Sequence, residues 1–495
     1  MKWLKIKNLQ AVPLAQIPRL SMEELGEQII SKIRNGKRLV QFFGAECKQG
    51  LTLYAILADD LHSLLNLAGA VVGTQKSYPA LTPKAPSLHI FEREIFEQFG
   101  VKPEGHPWLK PLRRGIAGID HNETQYSFFR MEGEEVHEVG VGPIHAGVIE
   151  PGHFRFSCTG ETVHHLEIQL GFQHRGVEQL FVKKRNNFTF LLKLAESIAG
   201  DTIIGHAGAF AAAVESLSGT KISHRAELIR AIALELERVA VHLGDLSALA
   251  GDIAYLTGNA VFSALRTTAC NTSLALCGSR FGRGLLTPGG VYYDISTELR
   301  EKITAIIDEL KEKTELAAEV LFSSSSVLSR FEKTGVVTKE TARDIGMVGP
   351  AARASGIPID VRADFPCGAY AYFPVYAYSL RTGDVFARAY IRYMEIMQSL
   401  SIIQEQLANL NGGKINQPIG EIKPEHFVVS MSEGWRGEIA HVVITDCNGQ
   451  ISRYKIKDPS FHNWFALTLA VRNEGISDFP LCNKSYNLSY CGFDL

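Results

Sequence analysis

Residues 455–468 read KIKDPSFHNWFALT. The Asp458-Pro459 step turns the chain into an apolar run with helical spacing, and Ser460 and Asn463 stand three apart just after it. That is the spacing of a ligand pair on one face of a helix, yet neither side chain is a thiol. ESIAGDTIIGHAGAF, at 196–210, is built alike: Gly200 and Asp201 break one helical pattern, the next begins at once, and His206 follows about a turn and a half later. The two stretches are expected to meet inside a helical body, each presenting positions three residues apart.

Helical patterns surround them, over 176–198, 205–217, 221–249, 255–280, 294–328 and 384–411, lengths that favour a bundle. Ahead of these, HEVGVGPIHAGVIEPGHFRFSCTGETVHHLEIQLGF (137–172) alternates apolar and polar residues between Gly/Pro turns, as a small antiparallel sheet does. The first segment mixes an amphipathic helix, SMEELGEQIISKIRNG, opened by Ser21 and Glu24 in capping-box spacing, with the strand-like RLVQFFGAE and LTLYAILA. It ends in HIFEREIFEQFGVKPEGHPWLKPLRRG and a polar stretch reaching residue 135. The fold class is therefore α+β: a small α+β domain over 1–125, then a mainly helical domain with a small antiparallel sheet over 126–495.

Bulk properties narrow the function. The chain has 495 residues, 45% of them hydrophobic and 21% charged, enough for a large core. A net charge of -2 leaves no basic footprint for nucleic acid. The start, MKWLKIKNLQAVPL, lacks the apolar core of a signal peptide, and GHAGAFAAAV, the nearest thing to a membrane span, is too short. Any membrane is expected to be reached through a partner. The eight cysteines (47, 158, 270, 277, 367, 447, 482 and 491) are scattered, none in a C-x-x-C pair, so no iron-sulfur cluster is expected on this chain alone.

GPIHAGVIEPGHFRF, LGFQHRGVEQL, ELERVAVHLGDL, GMVGPAARASG, DVRADFP, GDVFARAYIRYMEIMQS and EGWRGEIAHVV follow in order along the second domain. Together they resemble the large subunit of membrane-bound nickel-iron hydrogenases of the hydrogenase-4 and formate hydrogenlyase type, and the homologous quinone-site subunit of respiratory complex I. FEREIFEQFGV with GHPWLKPLRR is similar to the signature of complex I's 30 kDa-type subunit, so the chain looks like a fusion of the two. In the hydrogenases, an R-x-C-G-x-C-x-x-x-H segment and a D-P-C-x-x-C segment supply four thiolates to nickel and iron. The matching positions here are Ala199, Thr202, Ser460 and Asn463, while Asp458, Pro459 and His206 are kept. A methyl group, two hydroxyls and a carboxamide do not replace soft anionic thiolates, so the resemblance implies a degenerate nickel site and no hydrogenase activity from this chain itself. His206 and His462 are the candidates for a replacement metal site; the other reading of both is a hydrogen-bonded scaffold histidine.

The same resemblance implies the rest of the expected function. His145 in GPIHAG matches the histidine that complex I presents to its quinone and is the candidate catalytic donor; a turn histidine between two strands is the alternative. No counterpart of the complex I tyrosine is found, Gly200 and Asp201 lying in that region. Arg238 and His242, on one stripe of a helix with Glu235, are placed by the family near the iron-sulfur cluster of a small partner subunit. Arg353, Arg362, Arg388, Arg392 and Arg436 are expected to form structural ion pairs with residues such as Asp364, Asp384 and Glu433. The tail, DFPLCNKSYNLSYCGFDL, looks like that of the complex I subunit and is expected to stay unprocessed. The implied protein is a peripheral subunit on the cytoplasmic face of the cell membrane, in an NADH:quinone oxidoreductase-like assembly with an iron-sulfur subunit and ion-translocating membrane subunits. It holds no cofactor itself and serves a quinone-like acceptor; the alternative is a redox-inactive coupling scaffold.

Overall fold

The computed structural model describes residues 3–47, 50–73, 76–113 and 126–495. The domain boundary expected at 125/126 adjoins residues 114–125, which lie outside the described residues. The first unit is a five-stranded sheet in which Leu64–Gly73 lies between Leu4–Ile6 and Gly50–Asp59, Arg38–Cys47 forms the far edge, and Arg19–Leu20 adds in parallel to Leu64–Gly73. The helix Met22–Arg34 starts where its capping box predicts: the Ser21 hydroxyl accepts from the Glu24 N–H while the Glu24 carboxylate accepts from the Ser21 N–H. It buries Leu25, Ile29 and Ile30.

The second unit is built on helices: Ile203–Ser218, His224–Asp252, Leu256–Cys277, Thr297–Ser323 and Val385–Ala408. The pattern over 176–198 splits into Val177–Lys183 and Phe188–Ala195, because the Asn187 side chain caps the second piece by accepting from the Phe190 N–H. The sheet expected over 137–172 forms, with His153–Thr159 between Val136–Val141 and Thr162–Gln169.

A second sheet goes beyond the sequence expectation. His426–Gly434, Gly437–Thr445 and Ile451–Lys457 make an antiparallel meander, and Val12–Pro13 of the first unit extends it by pairing with His426 and Phe427. Every residue of Gly437–Thr445 is buried, so the strand carries no alternation for a period-2 reading to detect. This sheet joins the two units. One face packs Phe427, Val429 and Met431 on Val40, Phe43 and Ile56 of the N-terminal sheet. Ion pairs reinforce the junction, Arg38 with Glu438 at 2.7 Å and Lys455 with Glu94 at 2.7 Å.

Candidate functional site

Two chain breaks set up the site. The helix Ile203–Ser218 begins just after Gly200-Asp201, and Ser460–Ala470 begins just after Asp458-Pro459. As expected from sequence, the breaks meet: His206 Nε2 lies 3.1 Å from Asp458 Oδ2, both fully buried. The four positions that the sequence resemblance matches to hydrogenase ligands make other contacts. Ala199 has no donor; Thr202 Oγ1 accepts from Arg436 Nη1 at 3.1 Å. Ser460 Oγ accepts from the Ser489 N–H at 2.9 Å, and the Asn463 amide makes a two-way pair with the Val348 backbone at 3.1 and 3.0 Å.

Arg436 dominates this space. Its guanidinium pairs with both Asp201 carboxylate oxygens at 2.6 Å, donates to the Asn487 carbonyl and stacks 3.9 Å from the Trp435 ring centroid, while Trp435 Nε1 donates to the Asp201 carbonyl. The sequence predicts a structural ion pair for this arginine; its place against Asp201 and Thr202 is a finding of the structure.

Behind Asp458 runs a buried chain of polar groups. His206 Nδ1 lies 3.0 Å from His441 Nε2, and His441 Nδ1 lies 2.8 Å from the Tyr454 hydroxyl. Burial would raise the Asp458 carboxyl, but the His206 bond and the Arg436 charge hold it below the ordinary aspartate range. Asp458 therefore accepts, and His206 Nε2 donates. Burial pushes His441 well down, keeping it neutral, so one of its ring nitrogens donates and the other accepts in the bonds to His206 and Tyr454. A proton entering at Tyr454 can thus reach Asp458 by three short transfers. Sequence reasoning misses His441 and Tyr454 as site residues; the available signal is a histidine inside the otherwise apolar IAHVVI.

His206 and His462, the candidates for a replacement metal site or for scaffold histidines, have separate partners. His206 is taken up by Asp458 and His441, whereas His462 sits 3.4 Å from Lys457 Nζ and edge-on to Phe91. Among the described residues no group of three or more His, Cys, Asp or Glu side chains is placed to hold a metal. One thiol does come near. The Cys491 thiol lies 3.4 Å from Ser489 Oγ, and burial and Glu150 push it up to about 11, so it is protonated at neutral pH.

Glu237 caps the same helix start, accepting from the Ile204 and Gly205 N–H groups at 2.7 and 3.2 Å. Burial, with the nearby Asp201 charge against it, raises its carboxyl to about 8. Between about pH 4.5 and 8 the folded chain therefore holds a proton the unfolded chain has released, and stability falls as pH rises through that window. Glu237→Gln is expected to flatten the slope of thermal midpoint against pH there.

Glu235, Arg238 and His242 form the predicted stripe, and all three are fully buried. Arg238 donates to the Glu433 and Gly434 carbonyls at 2.7 and 3.0 Å, directly before Trp435 and Arg436, and His242 Nε2 lies 3.0 Å from Glu395. Arg353 pairs with Glu395 and with the expected Glu433, and Arg362 with Glu235 and Asp360. Arg392 pairs with Asp245, whereas Arg388 bonds neutral groups, among them Ser485 Oγ. Asp364 and Asp384 do not serve as arginine partners: Asp364 accepts from the Asp360 N–H, and Asp384 caps the Val385–Ala408 helix through the Ala387 N–H.

His145 lies in the loop between Val136–Val141 and His153–Thr159. Its Nε2 donates to the Gly152 carbonyl at 2.8 Å, which leaves Nδ1 as its free edge. Ile144 and Val148 beside it are 80% and 86% exposed, an apolar tip of the kind that meets a partner.

A small sheet-and-helix unit joined to a helical body fits a subunit of a membrane-bound oxidoreductase complex. The family profiles described as respiratory-chain NADH dehydrogenase, 30 Kd subunit and 49 Kd subunit match residues 36–115 and 252–424. Formate hydrogenlyase subunit 5 of Escherichia coli is 30% identical over 441 residues, 85% of this chain and 77% of that one. The fused C/D polypeptide of the NADH-quinone oxidoreductase of Bacteroides fragilis is 28% identical over 421 residues, 76% of this chain and 78% of that one. Among solved structures, a chain of the archaeal membrane-bound sulfane sulfur reductase, a respiratory membrane complex, aligns with a TM-score of 0.68 and 25% identity, covering 73% of this chain and 99% of that one. The chain belongs to the family of membrane-bound hydrogenase and complex I large subunits, in its fused form. No described helix is long and apolar enough to cross a membrane.

Proposed function

We propose that this subunit works without nickel, taking electrons from an iron-sulfur cluster in a small partner subunit and delivering them to a quinone-like acceptor. The observation that carries this reading is Arg436, fixed by Asp201, Thr202 and Trp435 among the former ligand positions, where no thiolate stands to hold a metal. Charge and hydrogen-bond donors in that position suit a reducible carbonyl, not a soft cation. Arg238 and His242 face the partner's cluster through the buried network, and the subunit sits peripherally at the cytoplasmic face beside ion-translocating membrane subunits.

Reducing a quinone-like carbonyl pair requires two electrons and two protons. Tyr454, His441, His206 and Asp458 supply a route for one proton. His145 is the donor for the other: with Nε2 committed to Gly152, Nδ1 is the edge left to bond an acceptor carbonyl. In the purified complex, His145→Ala is expected to lower reduction of decylubiquinone by about a hundredfold or more while assembly persists. Unchanged reduction would favour the coupling-scaffold reading, which the density of buried ion pairs around Glu235 also supports. A parallel assay with a sulfane sulfur compound tests the acceptor class that the name of the sulfane sulfur reductase relative gives.

A further inference from the structure

A cavity of about 530 Å³ opens between the Ile203–Ser218 helix, the beginning of His224–Asp252, the strand His426–Gly434 and residues 361–370. None of His145, Asp201, Arg436 and Asp458 lines it, so it is separate from the site above. Its size falls in the range of small-molecule sites, roughly 300–1,000 Å³. Small residues of the first helix, Ala209 and Ala212, make the room, and Leu234, Leu286 and Phe365 give the walls an apolar character.

Two observations specify what would fill it. The Ser430 hydroxyl is 1% exposed and has no hydrogen-bond partner. Its neighbours Val429 and Met431 pack toward the N-terminal sheet, so strand alternation turns Ser430 the other way, toward the Ile203–Ser218 helix and the cavity. A buried hydroxyl without a partner is costly, and a ligand that bonds it recovers that cost. Of the charges in the wall, Lys221 is exposed to solvent and Glu227 lies 3.6 Å from His224, while the buried ones are paired within the protein. Arg230 pairs with both oxygens of Glu215 and with the Thr287 and Gly290 carbonyls, and Arg362 pairs with Glu235 and Asp360. Glu433 is held by Arg353 and the Val361 N–H.

We infer that this cavity binds an uncharged, largely apolar molecule whose carbonyl or hydroxyl bonds Ser430. A membrane-derived quinone and a soluble ketone or phenol share that chemistry. The inference does not depend on the proposed redox role, because binding is read without turnover.

The test is photolabelling of the purified complex with benzophenone, an uncharged apolar ketone, followed by peptide mapping. Label is expected on the segments around Ala212 and Phe365, and Ser430→Ala is expected to raise the half-saturating concentration about tenfold. Ala212→Phe, which fills the cavity, is expected to reduce label there at least tenfold; Ala209→Leu serves if the first variant does not assemble. Decylubiquinone competing for the label identifies the membrane source, and cyclohexanone alone competing identifies the soluble one; either supports the proposal. Three results would overturn it: labelling of these segments unchanged by both filling variants, no labelling of them in the intact complex, or competition by neither compound.

Discussion

Glu235→Ala is expected to destabilise the folded chain by about 3–5 kcal/mol, the cost of leaving buried cations without their counter-charge. Glu235 accepts from Arg362 Nη1 at 3.0 and 2.8 Å, Arg238 Nε at 3.2 Å, and the Tyr370 and Ser399 hydroxyls at 2.5 Å. Water cannot replace those partners, since every one of these side chains is buried. The shift in the denaturant midpoint measures the loss. Burial would raise the Glu235 carboxyl, but Arg362 and Arg238 outweigh it and hold it at about 2. Its stabilising contribution is therefore complete above the unfolded carboxyl's pKa of 4.5 and is lost as pH falls from there toward 2. Glu235→Gln retains the shape and removes that acid limb.

His441→Gln is expected to lower acceptor reduction by about 10²–10⁴-fold, the usual contribution of a positioned proton donor. The amide keeps both hydrogen bonds, to His206 and Tyr454, one as donor and one as acceptor, so packing is preserved. A carboxamide cannot take up a proton at one end and release it at the other. Single-turnover reduction should become sensitive to added small buffers such as imidazole, a rescue that a structural role for His441 would not produce.

The sequence carries the parts of this architecture that have a period or a punctuation mark. Gly200-Asp201 and Asp458-Pro459 are helix breaks, and both lie where helices begin. Asn187 and the Ser324 break in the 294–328 pattern split two helices that apolar spacing alone joins. Strands buried on both faces leave no trace, and with them the Tyr454 and His441 positions stay hidden. Ion-pair partners are equally illegible. Arg353 meets the expected Glu433, yet Arg436 meets Asp201, 235 positions away along the chain, through a contact that only the tertiary fold creates.

The most direct measurement is elemental analysis of the purified complex for nickel, iron and zinc, with electron paramagnetic resonance of its reduced clusters. The result expected is no nickel, with all iron accounted for by clusters in partner subunits. One nickel per complex would contradict the central claim, because Ala199, Thr202, Ser460 and Asn463 offer no thiolate to hold it.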